Sequence, residues 1–235
     1  SMVNRLAVNG CSYMHYYAIG AGHNALADHY GIQSLQMLTE PGSSNQRIIR
    51  TTVQDAINNS KNPTLYIIGI TFYPRIELPV LEKETRDKWV SVSNFNTNDK
   101  RFSDSLKNKL IDYIALDHEF RGGAMYDSVH WLLTQLVMLV STLKAYGHTA
   151  VIFNTAEETI PKCFHEHKDF FHGFDNLTEV VDNLCWLAVP YQFEKGADFL
   201  PSDRHLPAPV RHVKPGEHKY LNEFLVDYID KHSII

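Results

Sequence analysis

Leu6-Ala7-Val8-Asn9-Gly10-Cys11-Ser12-Tyr13 is the stretch that decides the fold, because it joins a short apolar run to a sharp turn. A continuously apolar run that ends at Asn-Gly is typical of a buried parallel strand. In an open α/β sheet, ligands bind beyond the carboxyl ends of such strands. Ser12 is therefore predicted to stand where chemistry takes place, although a serine here also commonly caps a helix.

Apolar runs and helical patterns alternate along the rest of the chain. Short apolar runs bounded by turn residues cover 32–38, 65–70 and 150–153, and helical spacing marks 24–30, 48–57, 125–146 and 220–229. Strands that alternate with helices predict a parallel sheet with helices on both faces, that is, a three-layer α/β/α sandwich.

Length and composition place the chain among ordinary globular proteins. Its 235 residues, 44% of them hydrophobic and 21% charged, predict a single domain over 1–235. A net charge of −5 with interspersed acids and bases argues against a nucleic-acid partner. Three cysteines favour a reducing compartment, and no signal peptide or membrane-spanning segment is visible, so a cytoplasmic location is expected.

Two polar stretches interrupt the alternation of strands and helices. A probable insertion over the rim of the sheet is predicted at about 79–101, and a long loop at about 157–175. Long ordered loops in compact domains usually shape binding sites. Arg75 and Glu77, beside the first stretch, are predicted to form an ion pair at the rim, with a substrate clamp as the alternative.

The loop after the second strand resembles a binding site for a negatively charged oxygen. Gly42 lets a main-chain N–H approach a ligand closely, and the Asn45 amide offers a further donor. Such donors make up an oxyanion hole. The alternative is a capped helix start, with Ser44 or Asn45 as the cap.

A proline-rich loop before the last helix places an acid among three histidines, namely Asp203, His205, His212 and His218. A hydrolytic serine needs an imidazole to take its proton and a carboxylate to fix the tautomer of that imidazole. Both groups are available on this loop.

Together, the loops resemble the SGNH, or GDSL, hydrolase family. Gly10-Cys11-Ser12-Tyr13 is similar to its Gly-Asp-Ser block with cysteine in place of aspartate, as in members from phages and marine bacteria. Gly42-Ser43-Ser44-Asn45 resembles the second block. The third block maps onto Gly69-Ile70-Thr71-Phe72, where Thr71 replaces the family's asparagine.

The resemblance implies a flavodoxin-like sheet in the order 2-1-3-4-5 and a serine esterase without metal or organic cofactor. Ser12 would be the nucleophile and Asp203 would orient the base. His212 is the favoured base because its spacing to His218 matches the family's two histidines, and His205, two residues after Asp203, is the alternative.

The resemblance also implies where a substrate oxygen would be held. The N–H groups of Ser12 and Gly42 would bind it, with Asn45 or Thr71 standing in for the missing asparagine. The expected substrate is an ester of a small molecule, a lipid or a glycan.

Three other interpretations compete with the esterase. A metal site formed by His165, Glu166, His167 and His172 is one, although a solvated polar loop explains these residues more simply. Cys11 as the nucleophile is another. The third is a non-catalytic ligand- or carbohydrate-binding module on the same fold, which the replacement at Thr71 would fit.

Overall fold

The computed structural model describes most of the chain, and a parallel sheet forms its centre. The described residues are 2–72, 75–79, 89–92, 102–119, 123–155, 190–207 and 211–235, with side chains described outside 113–119, 123–128, 190 and 191. The strands are β1 (Arg5–Asn9), β2 (Ser34–Met37), β3 (Thr64–Ile70), β4 (Ile76–Pro79), β5 (Trp89–Val92) and β6 (Thr149–Asn154).

Four of these strands form one sheet in the order β2-β1-β3-β6, and every neighbouring pair is parallel. β1 and β3 are buried along their whole length, which explains the apolar runs 6–8 and 65–70 within them. The predicted parallel sheet is confirmed. The four strands of this sheet follow the first four positions of the predicted order 2-1-3-4-5, and the described residues contain no fifth strand of this sheet.

Helices cover both faces of this sheet. They are α1 (Ser12–Ile19), α2 (Gly22–Tyr30), α3 (Asn45–Asn58), α4 (Asp104–Glu119), α5 (Gly123–Ala145), α6 (Pro190–Glu194) and α7 (Lys219–Lys231). Successive strand side chains alternate between faces, so Leu6 and Val8 pack with α1, α2 and α7 while Ala7 packs with α3 and α5. The predicted three-layer α/β/α sandwich is confirmed.

Two glycines let α1 begin directly after β1. Gly10 has φ +150°, and a Cβ there would lie 2.5 Å from Met14 Cγ. A Cβ at Gly69, at the end of β3, would lie 2.6 Å from the same atom. Because neither glycine has a side chain, Met14 packs against the ends of both strands and holds the first turn of α1 over the edge of the sheet.

An antiparallel hairpin of β4 and β5 stands beside the central sheet and packs on Phe102 and Leu110. It contains the described part of the predicted insertion at 79–101, whose first residue, Pro79, already belongs to β4. The remainder of the insertion and the whole of the loop predicted at 157–175 lie outside the described residues.

Candidate active site

Ser12 is the first residue of α1, and its side chain is not used to cap the helix. The cap position is Cys11, which has extended backbone angles and makes no side-chain capping hydrogen bond. The first N–H bonded back into the helix is that of His15, which donates to Cys11 O at 2.9 Å. The N–H groups before it, including that of Ser12, have no partner inside the helix.

Ser12, His212 and Asp203 form a continuous chain of hydrogen bonds. Ser12 Oγ lies 2.7 Å from His212 Nε2, and His212 Nδ1 lies 2.8 Å from Asp203 Oδ2. Since the carboxylate can only accept, Nδ1 carries the hydrogen and the Nε2 lone pair faces the serine hydroxyl. The structure thus joins the hydroxyl, the imidazole and the carboxylate in the order that proton transfer from Ser12 requires.

Asp203 is held in a fixed position by its surroundings. It ends a short 3₁₀ turn (Pro201–Asp203), is buried, and accepts a second hydrogen bond from the His212 backbone N–H at 2.8 Å. His205, the alternative base, is exposed and follows Asp203 by two residues. The structure therefore brings His212, and not His205, to Ser12 and Asp203.

Cys11 faces away from this chain of hydrogen bonds. Its side chain is buried, with Sγ 4.0 Å from Thr155 Oγ1. Among the described residues, an imidazole meets Ser12 and none meets Cys11.

The loop after β2 lies beside the Ser12 turn. Glu40 N–H donates to Gly10 O at 3.2 Å, which ties the two loops together two residues before the serine. Gly42 has φ +79°, a conformation that favours glycine. Within the described residues, the main-chain N–H groups of Ser12 and Gly42 donate no hydrogen bond. They are therefore available for a ligand oxygen.

Asn45 and Thr71 hold two loops together. Asn45 Nδ2 donates to Thr71 O at 2.9 Å, and Thr71 N–H donates to Asn45 Oδ1 at 2.8 Å, with both residues buried. Thr71 Oγ1 accepts a hydrogen bond from Arg75 Nη1 at 3.2 Å. The structure thus gives the Asn45 amide a positioning task, while Ser44 caps α3 by accepting from Arg47 N–H.

The predicted ion pair of Arg75 with Glu77 is wrong. Glu77 accepts two hydrogen bonds from Arg50 on α3, at 2.8 and 2.7 Å, because the hairpin lies against that helix. Arg75 instead donates from Nη1 to Ser43 O at 3.1 Å as well as to Thr71.

Asn9 is a site residue whose task sequence reasoning missed. It is buried at the end of β1, where Oδ1 accepts from Gly10 N–H at 2.8 Å and Nδ2 donates to Thr51 Oγ1 and Thr52 Oγ1 at 2.9 Å. The side chain thereby fixes the turn before Ser12 to α3. An amide at the end of an apolar run was the available signal.

The segment that carries His212 packs closely on the far end of α1. A Cβ at Gly20 would lie 2.2 Å from Gly216 N and 2.9 Å from Pro215 Cα, so no larger residue fits without moving backbone. Beyond it, Tyr17 Oη donates to Asn222 Oδ1 at 2.6 Å. The contact fixes the distance between the helix of the nucleophile and the loop of the imidazole.

His218 is a neutral ring in the core that adds to the packing of this segment on α1. It is 2% exposed and lies edge-on to Tyr13 and Tyr17, at centroid distances of 5.9 and 5.5 Å. Neither ring nitrogen has a hydrogen-bond partner within the described residues. Burial without such partners lowers the pKa of His218 to about 4.

The described residues contain no group of three or more His, Cys, Asp or Glu side chains that could hold a metal ion. The alternative metal site of His165, Glu166, His167 and His172 lies outside them. None of the helices in the described ranges is both long and apolar enough to span a membrane.

The chain is similar to solved structures, although no family model and no curated protein matches it. The psychrotrophic esterase EstA from Pseudoalteromonas sp., inhibited by monoethylphosphonate, is 14% identical, with 97% of this chain aligned to 98% of that chain and a TM-score of 0.51. A GDSL-like lipase from Bacteroides thetaiotaomicron is 11% identical over 97% of this chain and 89% of that chain, with a TM-score of 0.43. At such identities, the likeness to EstA shows a common fold.

The contact at Gly20 predicts a large effect of one methyl group. We expect Gly20→Ala to lower the free energy of unfolding by about 1 to 3 kcal/mol, because the added carbon collides with backbone atoms that cannot rotate away. Urea unfolding measures this change. Asn24→Ala, at an exposed position of the neighbouring helix, is the control and should stay within about 0.5 kcal/mol of the parent. Equal stabilities for both variants would contradict the close approach.

The buried imidazole predicts a pH dependence of stability. The unfolded His218 titrates near 6.5 and the folded one near 4, so the unfolded chain holds the extra proton between these values. The free energy of unfolding therefore falls as the pH is lowered through this window, with His218 contributing about 2 to 3 kcal/mol of the loss at pH 4.5.

His218→Phe keeps a ring but removes the titrating group, so its stability should fall less between pH 7 and pH 4.5 in urea unfolding. His29→Phe, at an exposed histidine, is the matched control and should lose as much as the parent. An undiminished loss in His218→Phe would show that this histidine does not titrate on unfolding.

Proposed function

We propose that the protein is a serine hydrolase that cleaves carboxylic esters through an acyl-enzyme. The observation that carries the proposal is the hydrogen-bonded chain from Ser12 Oγ through His212 to Asp203, with distances of 2.7 and 2.8 Å. A serine hydroxyl is a weak nucleophile on its own, and an adjacent imidazole held by a carboxylate is the usual means of activating it.

In the first half of the proposed reaction, Ser12 Oγ attacks the ester carbonyl carbon as its proton moves to His212 Nε2. The carbonyl oxygen becomes negative in the tetrahedral intermediate. The bond from carbon to the alcohol oxygen then breaks, and that oxygen takes the proton from Nε2. Asp203 stabilises the imidazolium between these steps and keeps the hydrogen on Nδ1.

In the second half, water attacks the acyl-enzyme and gives a proton to His212 Nε2. The bond between the acyl carbon and Ser12 Oγ breaks, Oγ recovers the proton, and the carboxylic acid leaves. His212 acts as base and then as acid in each half, so the protein ends the cycle unchanged. No redox or metal partner is needed to balance either half.

The main-chain N–H groups of Ser12 and Gly42 are the donors that we assign to the negative oxygen. Both lie on loops joined through Glu40 and Gly10, and both are unused within the described residues. Loss of one oxyanion donor typically costs a factor of about 100 to 1,000 in rate. With Thr71 in place of the asparagine of similar enzymes, we expect a slower enzyme that favours activated esters.

The fold supports this proposal. EstA, whose structure has the highest TM-score of the two described above, is an esterase inhibited by monoethylphosphonate. Phosphonates mimic the tetrahedral intermediate of acyl transfer, so we expect an activated phosphonate to attach to Ser12 in this protein.

The decisive test compares two adjacent residues. We expect the protein to hydrolyse p-nitrophenyl acetate, Ser12→Ala to reduce kcat by at least about a thousandfold because the nucleophile is gone, and Cys11→Ala to remain active. A fluorophosphonate should label the parent and Cys11→Ala but not Ser12→Ala. The mass of the intact protein measures this labelling.

Two other results would contradict the proposal of a serine hydrolase. Activity that is lost in Cys11→Ala and kept in Ser12→Ala would assign the reaction to the thiol. Absence of both hydrolysis and labelling in the folded parent would favour the non-catalytic binding module on this fold.

A further inference from the structure

Tyr16 lies against the imidazole that meets Ser12. Its ring centroid is 5.2 Å from that of His212, and the two ring planes are inclined by 84°. This T-shaped arrangement is a favourable geometry for two aromatic rings. We propose that Tyr16 is a positioning residue that fixes the plane of the His212 ring for the reaction proposed above, on which this inference rests.

The plane of the His212 ring is set by rotation about its Cβ–Cγ bond. Asp203 holds Nδ1 and Ser12 holds Nε2, so both hydrogen bonds oppose this rotation. Both nitrogens lie off the Cβ–Cγ axis, so a turn of the ring moves Nε2 and its in-plane lone pair away from the hydroxyl and weakens the hydrogen bond.

Tyr16 supplies a further contact that opposes rotation of the His212 ring. The His212 side chain is 29% exposed, so solvent reaches part of the ring, and mobile water does not restrain its plane. A tyrosine ring at right angles to the imidazole restrains its tilt.

Helical spacing puts the nucleophile and this ring contact on one rigid element. Ser12 and Tyr16 are four residues apart in α1, and residues at this spacing lie on the same face of a helix. His212 touches both of them, one turn apart. Any movement of α1 therefore carries the hydroxyl and the tyrosine ring together, and their positions relative to each other are preserved.

The contact matters most when Ser12 is acylated. Oγ then carries the acyl group and has no proton to share, so among the described residues Asp203 and Tyr16 are the neighbours that still orient the His212 ring. The ring has to hold its plane at this stage in order to take a proton from water. We therefore expect loss of Tyr16 to slow deacylation, which lowers kcat and does not raise KM.

The test uses p-nitrophenyl acetate with full-length variants. Tyr16→Leu should lower kcat by about tenfold or more, since small losses of orientation cost large factors in rate. Tyr16→Phe keeps the ring and should retain the kcat of the parent. Tyr146→Leu, which removes an exposed tyrosine at the end of α5, is the control and should have no effect.

Thermal unfolding of each variant identifies any loss of fold, and Tyr16→Met serves in place of Tyr16→Leu if the latter unfolds. A parent-like kcat in the folded Leu variant would overturn the inference. A rise in KM alone would show that Tyr16 contacts substrate, and an equal loss in Tyr16→Phe would assign the effect to the hydroxyl; either result overturns it as well.

This inference and the proposed function fail separately. If Ser12→Ala and His212→Ala keep their activity, the proposed function falls. If both lose activity while Tyr16→Leu keeps its kcat, only the role of Tyr16 falls.

Discussion

The contact between one face of α1 and the segment 211–222 is the constraint on which the candidate site depends. The side of α1 that makes it consists of Ser12, Tyr13, Tyr16, Tyr17 and Gly20. Ser12 and His212 are 200 positions apart, so bringing them together orders a long loop of chain. Aromatic packing around the neutral His218 and the close backbone approach at Gly20 offset that loss of entropy, and the hydrogen bond at Ser12 follows from them.

Buried amides hold the remaining loops of the site in register. Asn9 fixes the turn before Ser12 to α3, and Asn45 fixes the start of α3 to the loop at Thr71. Each uses both its donor and its acceptor, as a buried amide must if its burial is not to cost stability. The loops around Ser12 are thus joined by side chains that take no part in the proposed chemistry, which frees the main-chain N–H groups to face a ligand.

Sequence reasoning predicted the parts of this molecule that periodicity controls. The buried strands and the alternation with helices specified the sheet. The choice of His212 over His205 as the base came instead from the resemblance of its spacing to His218 to the two histidines of the SGNH family. Contacts between residues that are distant in sequence leave no periodic pattern by which they could be predicted. The partner of Glu77 lies on α3 and not two residues away, the task of the Asn45 amide is seen only beside Thr71, and Gly20 has no distinguishing neighbours in sequence.

The hairpin of β4 and β5 is attached to α3 by side chains. Its described links include the ion pair of Arg50 with Glu77 and the hydrogen bond from Ser44 N–H to Ser91 Oγ at 3.0 Å. The turn before Ser12 is instead part of one continuous backbone, because only Gly10 and Cys11 separate the end of β1 from the start of α1. Substitutions in the hairpin would therefore change side-chain contacts with α3 and leave the connection that places Ser12 at the same length.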